Sequence, residues 1–399
     1  MKFGLIREGK NPPDKRVVLS PKELLTIKEN HPESTFKVQT SPHRVFTDQE
    51  YEDLGFEVSD DMSDCDVLLG VKEVPVDILI SNKTYFFFSH TIKKQSYNKK
   101  LLQACVNKNI RLIDHETLVD QNGHRLIGFG RYAGIVGAYN TLRAFGLKFE
   151  LFNLKKAEKL KTQHDLINSL KKVYFPPIKV VLTGLGKVGM GAKEILVGAE
   201  FKEVLIDDFL NKDFDEPVFV QIDVQDYYKR KDNQTGSKID FKSNAQEYES
   251  DFEKFSKVAD IFIAGHFYKD GSPKILTKEM LNNAYNKIQV IGDISCDING
   301  PIDSTIRSST IENPFYGYYP RLNEEVSVDH PAAIVVMAVD NLPCELPKDA
   351  SEGFGKVFSD KIIPAFFNND KDEVLQRATI CENGKLTSKF SYLEDYISD

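Results

Sequence analysis

Residues 180–196 read VVLTGLGKVGMGAKEIL, and this stretch decides how the middle of the chain folds. An apolar, strand-like run precedes three glycines, Gly184, Gly186 and Gly189, with the spacing G-x-G-x-x-G, and a helix-forming segment follows. The first glycine permits a tight turn, the second lets a ligand approach the backbone, and the third lets the helix pack on the strand. The stretch therefore predicts a strand, a turn and a helix whose N-terminus can receive an anion.

The segment after this helix, EVLIDD at residues 203–208, is predicted to be the next strand. A carboxylate at that distance from the turn accepts hydrogen bonds from the ribose hydroxyls of a dinucleotide, and either Asp207 or Asp208 could do so. Both would repel a 2′-phosphate and no arginine is adjacent, so we predict NAD rather than NADP. The residues predicted to surround the pyrophosphate are Gly184, Gly186, Lys187, Val188 and Gly189.

The first third of the chain alternates short apolar runs with capped helical segments. Strands are predicted in KFGLIRE, TFKVQT, DVLLGVK, TYFFFSH and RLIDHE. The helical segments SPKELLTIKEN and TDQEYEDLG open with capping boxes, Ser20 with Glu23 and Thr47 with Glu50. Such alternation predicts a parallel sheet with helices on both faces.

The remaining segments are less regular. A long helix is predicted in RYAGIVGAYNTLRAFG, and the Lys-rich stretch 148–173 is predicted to be helical and exposed. The polar stretch 223–257 is predicted to be a loop or insertion with partial helix. PAAIVVMAVDNLPCELP is predicted to be a core helix that stops at Pro343.

Composition limits the class of protein. With 399 residues, 41% hydrophobic and 28% charged, the chain predicts a globular protein of two domains. A net charge of −8 without a basic segment makes a nucleic-acid partner unexpected. The N-terminus carries frequent charges, and no apolar run is long enough for a membrane span, so we expect neither a secretory signal nor a membrane partner. Five scattered cysteines without a C-x-x-C pair indicate no metal site and a reducing cytoplasm.

Polar residues follow the predicted strands of the first third. They are Arg16, Lys72, Glu73, His90, Lys93, Glu116 and Arg125. Because ligands bind at the carboxyl ends of parallel strands, we expect these side chains to converge, and the cations would bind a substrate with several carboxylates. Lys72 among cations would have a lowered pKa and could act as a base, and His90 could exchange protons near neutrality. The alternative for each residue alone is a solvated surface charge or a strand cap.

Several of these motifs resemble a known family. GVKEVP followed by FFSHTIK resembles the catalytic domain shared by alanine dehydrogenase and the saccharopine enzymes of the lysine pathway. KRVVLSP, RLIDHETLVDQNGHRLIGFGRYAG, TIENPFY and AVDNLPCELPKDASEGFG are closer to the saccharopine branch, which contains NAD-dependent, lysine-forming saccharopine dehydrogenase and lysine–ketoglutarate reductase. The similarity covers most of the chain outside the two polar stretches.

The resemblance implies a particular architecture. It consists of two Rossmann-like, doubly wound α/β domains with an interdomain cleft. The substrate domain would be discontinuous, with residues 1–140 as its first part and 331–399 as its second. Residues 141–330 would form the NAD-binding domain.

The resemblance also implies a reaction, the reversible NAD-dependent oxidative deamination of saccharopine to L-lysine and 2-oxoglutarate. The residue matching Lys72 would deprotonate the substrate amine, and the one matching His90 would assist water in hydrolysing the imine. The other matched positions are carboxylate ligands at Arg16, Lys93 and Arg125, acidic neighbours of the catalytic pair at Glu73 and Glu116, and a cofactor neighbour at Asp340.

Two alternatives stay open. One is an alanine dehydrogenase or a related opine or imine reductase, which would act on pyruvate and ammonia. The other is a catalytically inactive NAD-binding regulator, although Lys72 and His90 argue against it. For the enzyme we predict a cytoplasmic monomer or homo-oligomer whose partner is its small-molecule substrate.

Overall fold

The computed structural model describes residues 1–11, 14–269 and 271–398 of the chain. It contains two compact units. Unit 1 is Met1–Phe129 with Pro347–Asp399, and is therefore discontinuous in sequence, and unit 2 is Gly130–Leu346. The domain limits predicted after residues 140 and 330 both fall inside unit 2.

Strands alternate with helices along the chain. The strands of the described residues are β1 Lys2–Leu5, β2 Thr35–Gln39, β3 Glu57–Ser59, β4 Val67–Leu69, β5 Thr84–Phe87, β6 Arg111–Asp114, β7 Lys179–Thr183, β8 Lys202–Glu203, β9 Val218–Ile222, β10 Tyr228–Arg230, β11 Tyr248–Ser250, β12 Ile261–Ala264, β13 Val290–Asp293, β14 Phe315–Tyr319, β15 Glu324–Val326, β16 Ile334–Met337, β17 Thr379–Glu382 and β18 Lys385–Leu386. The α-helices are α1 Pro21–Asn30, α2 Asp48–Glu52, α3 Lys99–Asn107, α4 Gly130–Lys148, α5 Gln163–Leu170, α6 Lys187–Gly198, α7 Ile206–Asn211, α8 Val224–Tyr227, α9 Lys238–Asn244, α10 Glu253–Ser256, α11 Lys278–Leu281, α12 Pro347–Lys361, α13 Val374–Ala378 and α14 Glu394–Ser398.

Unit 1 is built on one sheet with the strand order β18-β17-β6-β5-β4-β1-β2-β3. Strands β1 to β6 are parallel, while β17 and β18 pair antiparallel at one edge. All five strands predicted in the first third are present, and both predicted capping boxes form at the starts of α1 and α2. The carboxyl ends of β4, β5 and β6 therefore lie side by side at one edge of the sheet.

The aromatic strand β5 is buried on both faces because successive side chains point to opposite sides of a sheet. Phe86 packs on one face against Phe358 of α12, with ring centroids 5.7 Å apart. Phe87 packs on the other face with Leu102 of α3. Helix α12 of the C-terminal segment thus covers one face of β5, and α3 covers the other.

Unit 2 is also built on one main sheet, with the order β15-β14-β16-β13-β12-β7-β9-β8. Neighbouring strands pair parallel except at β14, which is antiparallel to both β16 and β15, so the predicted class of two α/β units with largely parallel sheets is confirmed. The predicted core helix at 331–347 is wrong, since Ile334–Met337 forms the inner strand β16. A short run rich in β-branched residues fits a strand buried on both faces equally well, and its neighbours β13 and β14 decide the outcome.

The strand predicted in EVLIDD is also wrong in extent and position. Only Lys202–Glu203 pairs, as the edge strand β8, and β9 takes the place next to the glycine strand β7. The β9 sequence Val-Phe-Val-Gln-Ile is almost entirely buried, whereas both residues of β8 are exposed. A continuous apolar strand suits an inner position of a parallel sheet, and two charged residues suit its edge.

The two polar stretches acquire structure. Residues 148–173 contain α5, which buries Leu166 and Leu170 and is therefore not fully exposed. Residues 223–257, named the insert below, contain α8, α9 and α10 and the antiparallel pair β10–β11. None of the described helices has both the length and the apolar character needed to cross a membrane.

Helix α4 supports the glycine turn of unit 2 by a very close approach to α6. A Cβ on Gly134 would lie 1.9 Å from the carbonyl oxygen of Val188 and 2.7 Å from the amide nitrogen of Ala192. Because both obstacles are backbone, a side chain fits only if the helices separate. The small residues of α4 therefore position the start of α6.

We expect Gly134→Ala to lower the free energy of unfolding by about 1–3 kcal/mol, the usual cost of overpacking. Gly130→Ala on the same helix is the control, because its Cβ would meet its nearest neighbours at 3.4 Å, an ordinary contact. Thermal unfolding followed by circular dichroism measures both variants. Equal stability of the two variants would contradict the helix contact.

Candidate active site

Two of the predicted site residues, His90 and Arg125, contact the ring of Phe88, which directly follows β5. The imidazole of His90 stacks on it with centroids 6.2 Å apart and an interplanar angle of 19°. The guanidinium of Arg125 lies 5.6 Å from the centroid of the same ring. His90 has a φ of +51°, a left-handed conformation that is uncommon for a residue with a side chain. The aromatic strand therefore ends in a platform for an imidazole and a guanidinium.

Two carboxylates flank the imidazole of His90. Its Nε2 lies 4.0 Å from Glu73 Oε1, and its Nδ1 lies 4.0 Å from Glu116 Oε2. Glu116 also lies 3.6 Å from Arg125 Nη2. Burial lowers the pKa of His90, and the charge of the neighbouring Lys72 lowers it further. The two glutamates raise this pKa and so offset part of the decrease. His90 is therefore largely neutral at pH 7 and able to accept a proton.

Lys72 lies in the loop that follows β4, and Glu8 holds that loop in place. Both oxygens of Glu8 accept backbone N–H groups, from Val71 at 2.7 Å and from Lys72 at 2.8 Å. Burial lowers the pKa of the Lys72 amine, and the charge of Arg16 lowers it further. The arrangement favours a neutral amine at a lower pH than for a free lysine.

The buried carboxylate of Asp114 joins the loops that follow β5 and β6. It accepts the backbone N–H of Ser89 at 2.9 Å and that of Glu116 at 2.6 Å. Burial raises its pKa to about 6, although these hydrogen bonds favour the charged form. Asp114 thereby sets the spacing between the segments that carry His90 and Glu116.

The charges of this cluster are nearly balanced, which the sequence did not predict. Its cations are Lys10, Arg16, Lys72 and Arg125, and its acids are Glu8, Asp14, Glu73 and Glu116. Arg16 is buried and forms a forked pair with Asp14, at 3.0 Å and 2.6 Å. Burial raises the pKa of Glu8 to about 8, so at neutral pH this acid is mostly uncharged.

The other predicted residues of unit 1 are less tightly placed. Glu73 Oε2 is buried and accepts no hydrogen bond from a described residue, but Lys10, which was not predicted from the sequence, lies 3.5 Å from it. Lys93 is exposed in the turn after His90 and has no ion pair within the described part of the chain. The structure thus brings together Arg16, Lys72, Glu73, His90, Glu116 and Arg125 at the strand ends of unit 1, with Lys93 at the outside.

The glycine turn, residues 184–189, borders a cavity of about 740 Å³ within unit 2. Gly184 has a φ of +95°, and a Cβ on Gly189 would lie 2.0 Å from the carbonyl oxygen of Gly184, so both glycines are required by the turn itself. A Cβ on Gly186 would meet no atom within 4 Å, since this residue faces the open cavity. Gly186 is also the N-cap of α6 and provides no side chain to cap the first amides.

This geometry fits the pyrophosphate of a dinucleotide. The start of α6 and the backbone of Gly186 border the cavity, which Lys187 and Val188 also line, and a helix N-terminus favours an anion. His266 also lines the cavity, directly beside the turn, since a Cβ on Gly184 would lie 2.8 Å from its Cα. Its Nε2 is buried without a hydrogen-bond partner in the described residues. Burial lowers the pKa of His266 to about 4, so its ring is neutral.

Asp223 occupies the position that the sequence suggested for Asp207 or Asp208. It directly follows β9, whose last residue, Ile222, accepts the N–H of Gly184 at 2.8 Å. Gln221 of the same strand donates to the carbonyl oxygen of Gly184, also at 2.8 Å. Asp223 therefore lines the cavity beside the glycine turn. Sequence reasoning missed Asp223, and the buried run PVFVQI that ends just before it is the signal that could have identified it.

The structure places Asp207 and Asp208 elsewhere, in the first turn of α7 beyond the edge strand β8. Asp208 pairs with Lys212, and Asp207 accepts a hydrogen bond from Asn211. Asp340 is exposed in the turn after β16 and does not line the cavity either. These three aspartates are not brought to the glycine turn.

Two α/β units with largely parallel sheets, one of which carries a glycine-rich turn, define a Rossmann-like two-domain protein. The chain belongs to the alanine dehydrogenase/PNT family: residues 4–136 match its N-terminal domain and residues 154–389 its C-terminal domain. The predicted membership of a dehydrogenase family is confirmed.

Individual relatives agree with this assignment. The chain is 28% identical to alpha-aminoadipic semialdehyde synthase of Arabidopsis thaliana over 98% of its own length and 41% of the relative. It is 26% identical to the NAD⁺, L-lysine-forming saccharopine dehydrogenase of Yarrowia lipolytica over 80% of each chain. The structure of an L-alanine dehydrogenase has the same fold, with a TM-score of 0.65, 17% identity and 99% coverage of both chains. The chain spans less than half the length of the synthase relatives.

Proposed function

We propose that the chain catalyses the reversible, NAD-dependent conversion of saccharopine and water to L-lysine and 2-oxoglutarate. The observation that carries the proposal is the Lys72–Glu73–His90–Glu116 cluster, in which a half-buried amine and a neutral imidazole lie among carboxylates. Likeness to saccharopine dehydrogenases and semialdehyde synthases supports the choice of substrate.

Lys72 is the group proposed to deprotonate the secondary amine of saccharopine. Its lowered pKa gives a supply of neutral amine, and its backbone is held by Glu8. Removing the amine proton frees the nitrogen lone pair, which then helps to expel a hydride from the neighbouring carbon. A nicotinamide dinucleotide, when bound, would supply the hydride acceptor.

His90 is the group proposed to act on the resulting imine. Its neutral ring can take a proton from the attacking water, and the flanking Glu73 and Glu116 stabilise the imidazolium that forms. Collapse of the carbinolamine then releases lysine and leaves 2-oxoglutarate. Arg16, Lys93 and Arg125 are proposed ligands for the substrate carboxylates.

The dinucleotide is proposed to bind in the cavity beside the glycine turn. Gly184, Gly186, Lys187, Val188 and Gly189 surround its pyrophosphate side. Asp223 is proposed to accept the ribose hydroxyls in place of Asp207 or Asp208. A cytoplasmic location stays a prediction, as does the oligomeric state.

A substrate panel tests this function by following NADH absorbance with lysine plus 2-oxoglutarate and, in parallel, with pyruvate plus ammonia. We expect kcat/KM for the first pair to exceed that for the second by about 10²-fold or more. The reverse order would support an alanine dehydrogenase. Tight NADH binding without turnover of either pair would support an inactive regulator.

Replacing Glu73 should change the pH dependence of saccharopine oxidation. Because its charge raises the pKa of both His90 and Lys72, we expect Glu73→Gln to lower both values. The rising limb of kcat/KM for saccharopine oxidation, which reports the deprotonated base, should then move to lower pH. Glu52→Gln, an exposed position on α2, is the control. An unchanged limb, or one moved to higher pH, would contradict the proposed coupling.

A further inference from the structure

The insert, residues 223–257, forms a folded wall of the cavity beside the glycine turn. Its strands β10 and β11 pair antiparallel, and α9 lies between them in sequence. Phe241 of α9 stacks on Tyr228 of β10, with ring centroids 4.6 Å apart, and meets the edge of Tyr248 of β11 at 5.2 Å. These aromatic contacts fix α9 on the hairpin and leave Phe241 in the cavity wall.

Ion pairs hold the same wall together. Arg230 of β10 pairs with Asp240 of α9 at 2.7 Å and with Glu247 at 2.8 Å. Lys269, in the loop after β12, donates to the carbonyl oxygen of Lys242 at 2.9 Å. The insert is thus attached to the sheet of unit 2, and its lysines have defined positions.

The insert brings positive charge to the carboxylate proposed to bind the ribose. Lys238 Nζ lies 2.7 Å from Asp223 Oδ2. Lys242, which also lines the cavity, forms no ion pair with a described residue. The described residues that line the cavity include four lysines and one aspartate. An unscreened aspartate would repel a phosphate on the ribose, but here a lysine compensates its charge.

We propose that this pocket accepts an adenosine whose ribose carries a 2′-phosphate as well as one with a free hydroxyl, with Lys238 as the phosphate contact. The ribose hydroxyls that Asp223 would bind lie within reach of Lys238, because the two side chains share one ion pair. The half-exposed Lys238 can turn from the carboxylate to the phosphate. The inference rests on the proposed dinucleotide site and extends the predicted preference for NAD to a dual use of NAD and NADP.

Binding of two fragments by isothermal titration calorimetry tests the inference without any catalytic step. The fragments are AMP and adenosine 2′,5′-bisphosphate. We expect the wild-type protein to bind the bisphosphate at least as tightly as AMP. Lys238→Ala should lower the affinity for the bisphosphate by about 10-fold or more, because one charge-assisted contact is lost. The affinity for AMP should change by less than about threefold.

Two further variants sharpen the test. Lys229→Ala removes the same charge from the insert but at a residue that pairs with Glu249 and does not line this cavity, so both affinities should stay unchanged. Asp223→Asn removes the carboxylate proposed to bind the ribose hydroxyls, and it should weaken the binding of AMP more than the binding of the bisphosphate. Titrations of the intact protein with NADH and NADPH, read from their fluorescence, should follow the same pattern.

The possible failures are distinguishable. If neither fragment nor NADH binds, both the proposed dinucleotide site and the proposed function are contradicted. If AMP and NADH bind but the bisphosphate is excluded, or if Lys238→Ala weakens both fragments equally, the dual acceptance is overturned and the NAD-dependent function stands.

Discussion

Lys72→Met is expected to lower kcat of saccharopine oxidation by about 10²–10⁴-fold, the usual contribution of a positioned general base. Methionine has nearly the volume of the lysine side chain but no amine, so the substrate amine would keep its proton. The hydrogen bonds of Glu8 to the backbone of Val71 and Lys72 do not involve the lost group and should persist. We therefore expect an unchanged fold and little change in the binding of NADH.

The control is Lys94→Met, because Lys94 is exposed and pairs with Asp395 at 2.7 Å outside the cluster. Its kcat should stay within about twofold of the wild type, as surface ion pairs contribute little. Added small amines should partly restore the Lys72→Met variant, since they can replace a missing base but not a missing structural contact. Full activity of Lys72→Met would remove Lys72 from the mechanism.

Gly186→Val is expected to weaken dinucleotide binding by about 10²-fold or more, because a branched side chain would fill the space where the pyrophosphate approaches the backbone. A Cβ on Gly186 meets no protein atom, and its φ of −81° with a ψ of −173° suits valine. Stability should therefore be preserved while binding is lost. Fluorescence titration with NADH measures the loss of binding, and thermal unfolding measures the stability of the variant.

Gly186→Ala adds a smaller side chain at the same position. We expect its affinity for NADH to lie between those of the wild type and Gly186→Val. Gly189→Ala should behave differently, because its Cβ would collide with the carbonyl oxygen of Gly184 at 2.0 Å and disturb the turn itself. Unchanged NADH affinity of Gly186→Val in a folded protein would show that the cavity holds no pyrophosphate.

Local features of the fold could be predicted from the sequence because their causes are local. The capping boxes at Ser20 and Thr47 formed as predicted, since each depends on residues three positions apart. The order of the strands β7, β9 and β8 could not be predicted in this way. Both EVLIDD and PVFVQID are apolar runs that end in aspartate, and only their competition for the inner position of the sheet separates them.

The candidate site shows the same division. Lys72 and His90 could be proposed from the sequence because the carboxyl ends of parallel strands are where such folds place ligands. Glu8 and Asp114 were missed, although both are acidic residues near strand ends. Their importance depends on backbone N–H groups of other loops, which lie more than twenty residues away in sequence for Ser89 and more than sixty for Lys72. Such long-range hydrogen bonds leave no pattern in a single sequence.

The most direct test of the central claim follows the hydride itself. The protein is incubated with lysine, 2-oxoglutarate and NADH deuterated at both C4 positions, and the products are identified by mass spectrometry. The proposed reaction predicts saccharopine that carries one deuterium on the carbon derived from the oxo group, with matching oxidation of the cofactor. Cofactor oxidation without labelled saccharopine, or no reaction in a protein that binds NADH, would contradict the account.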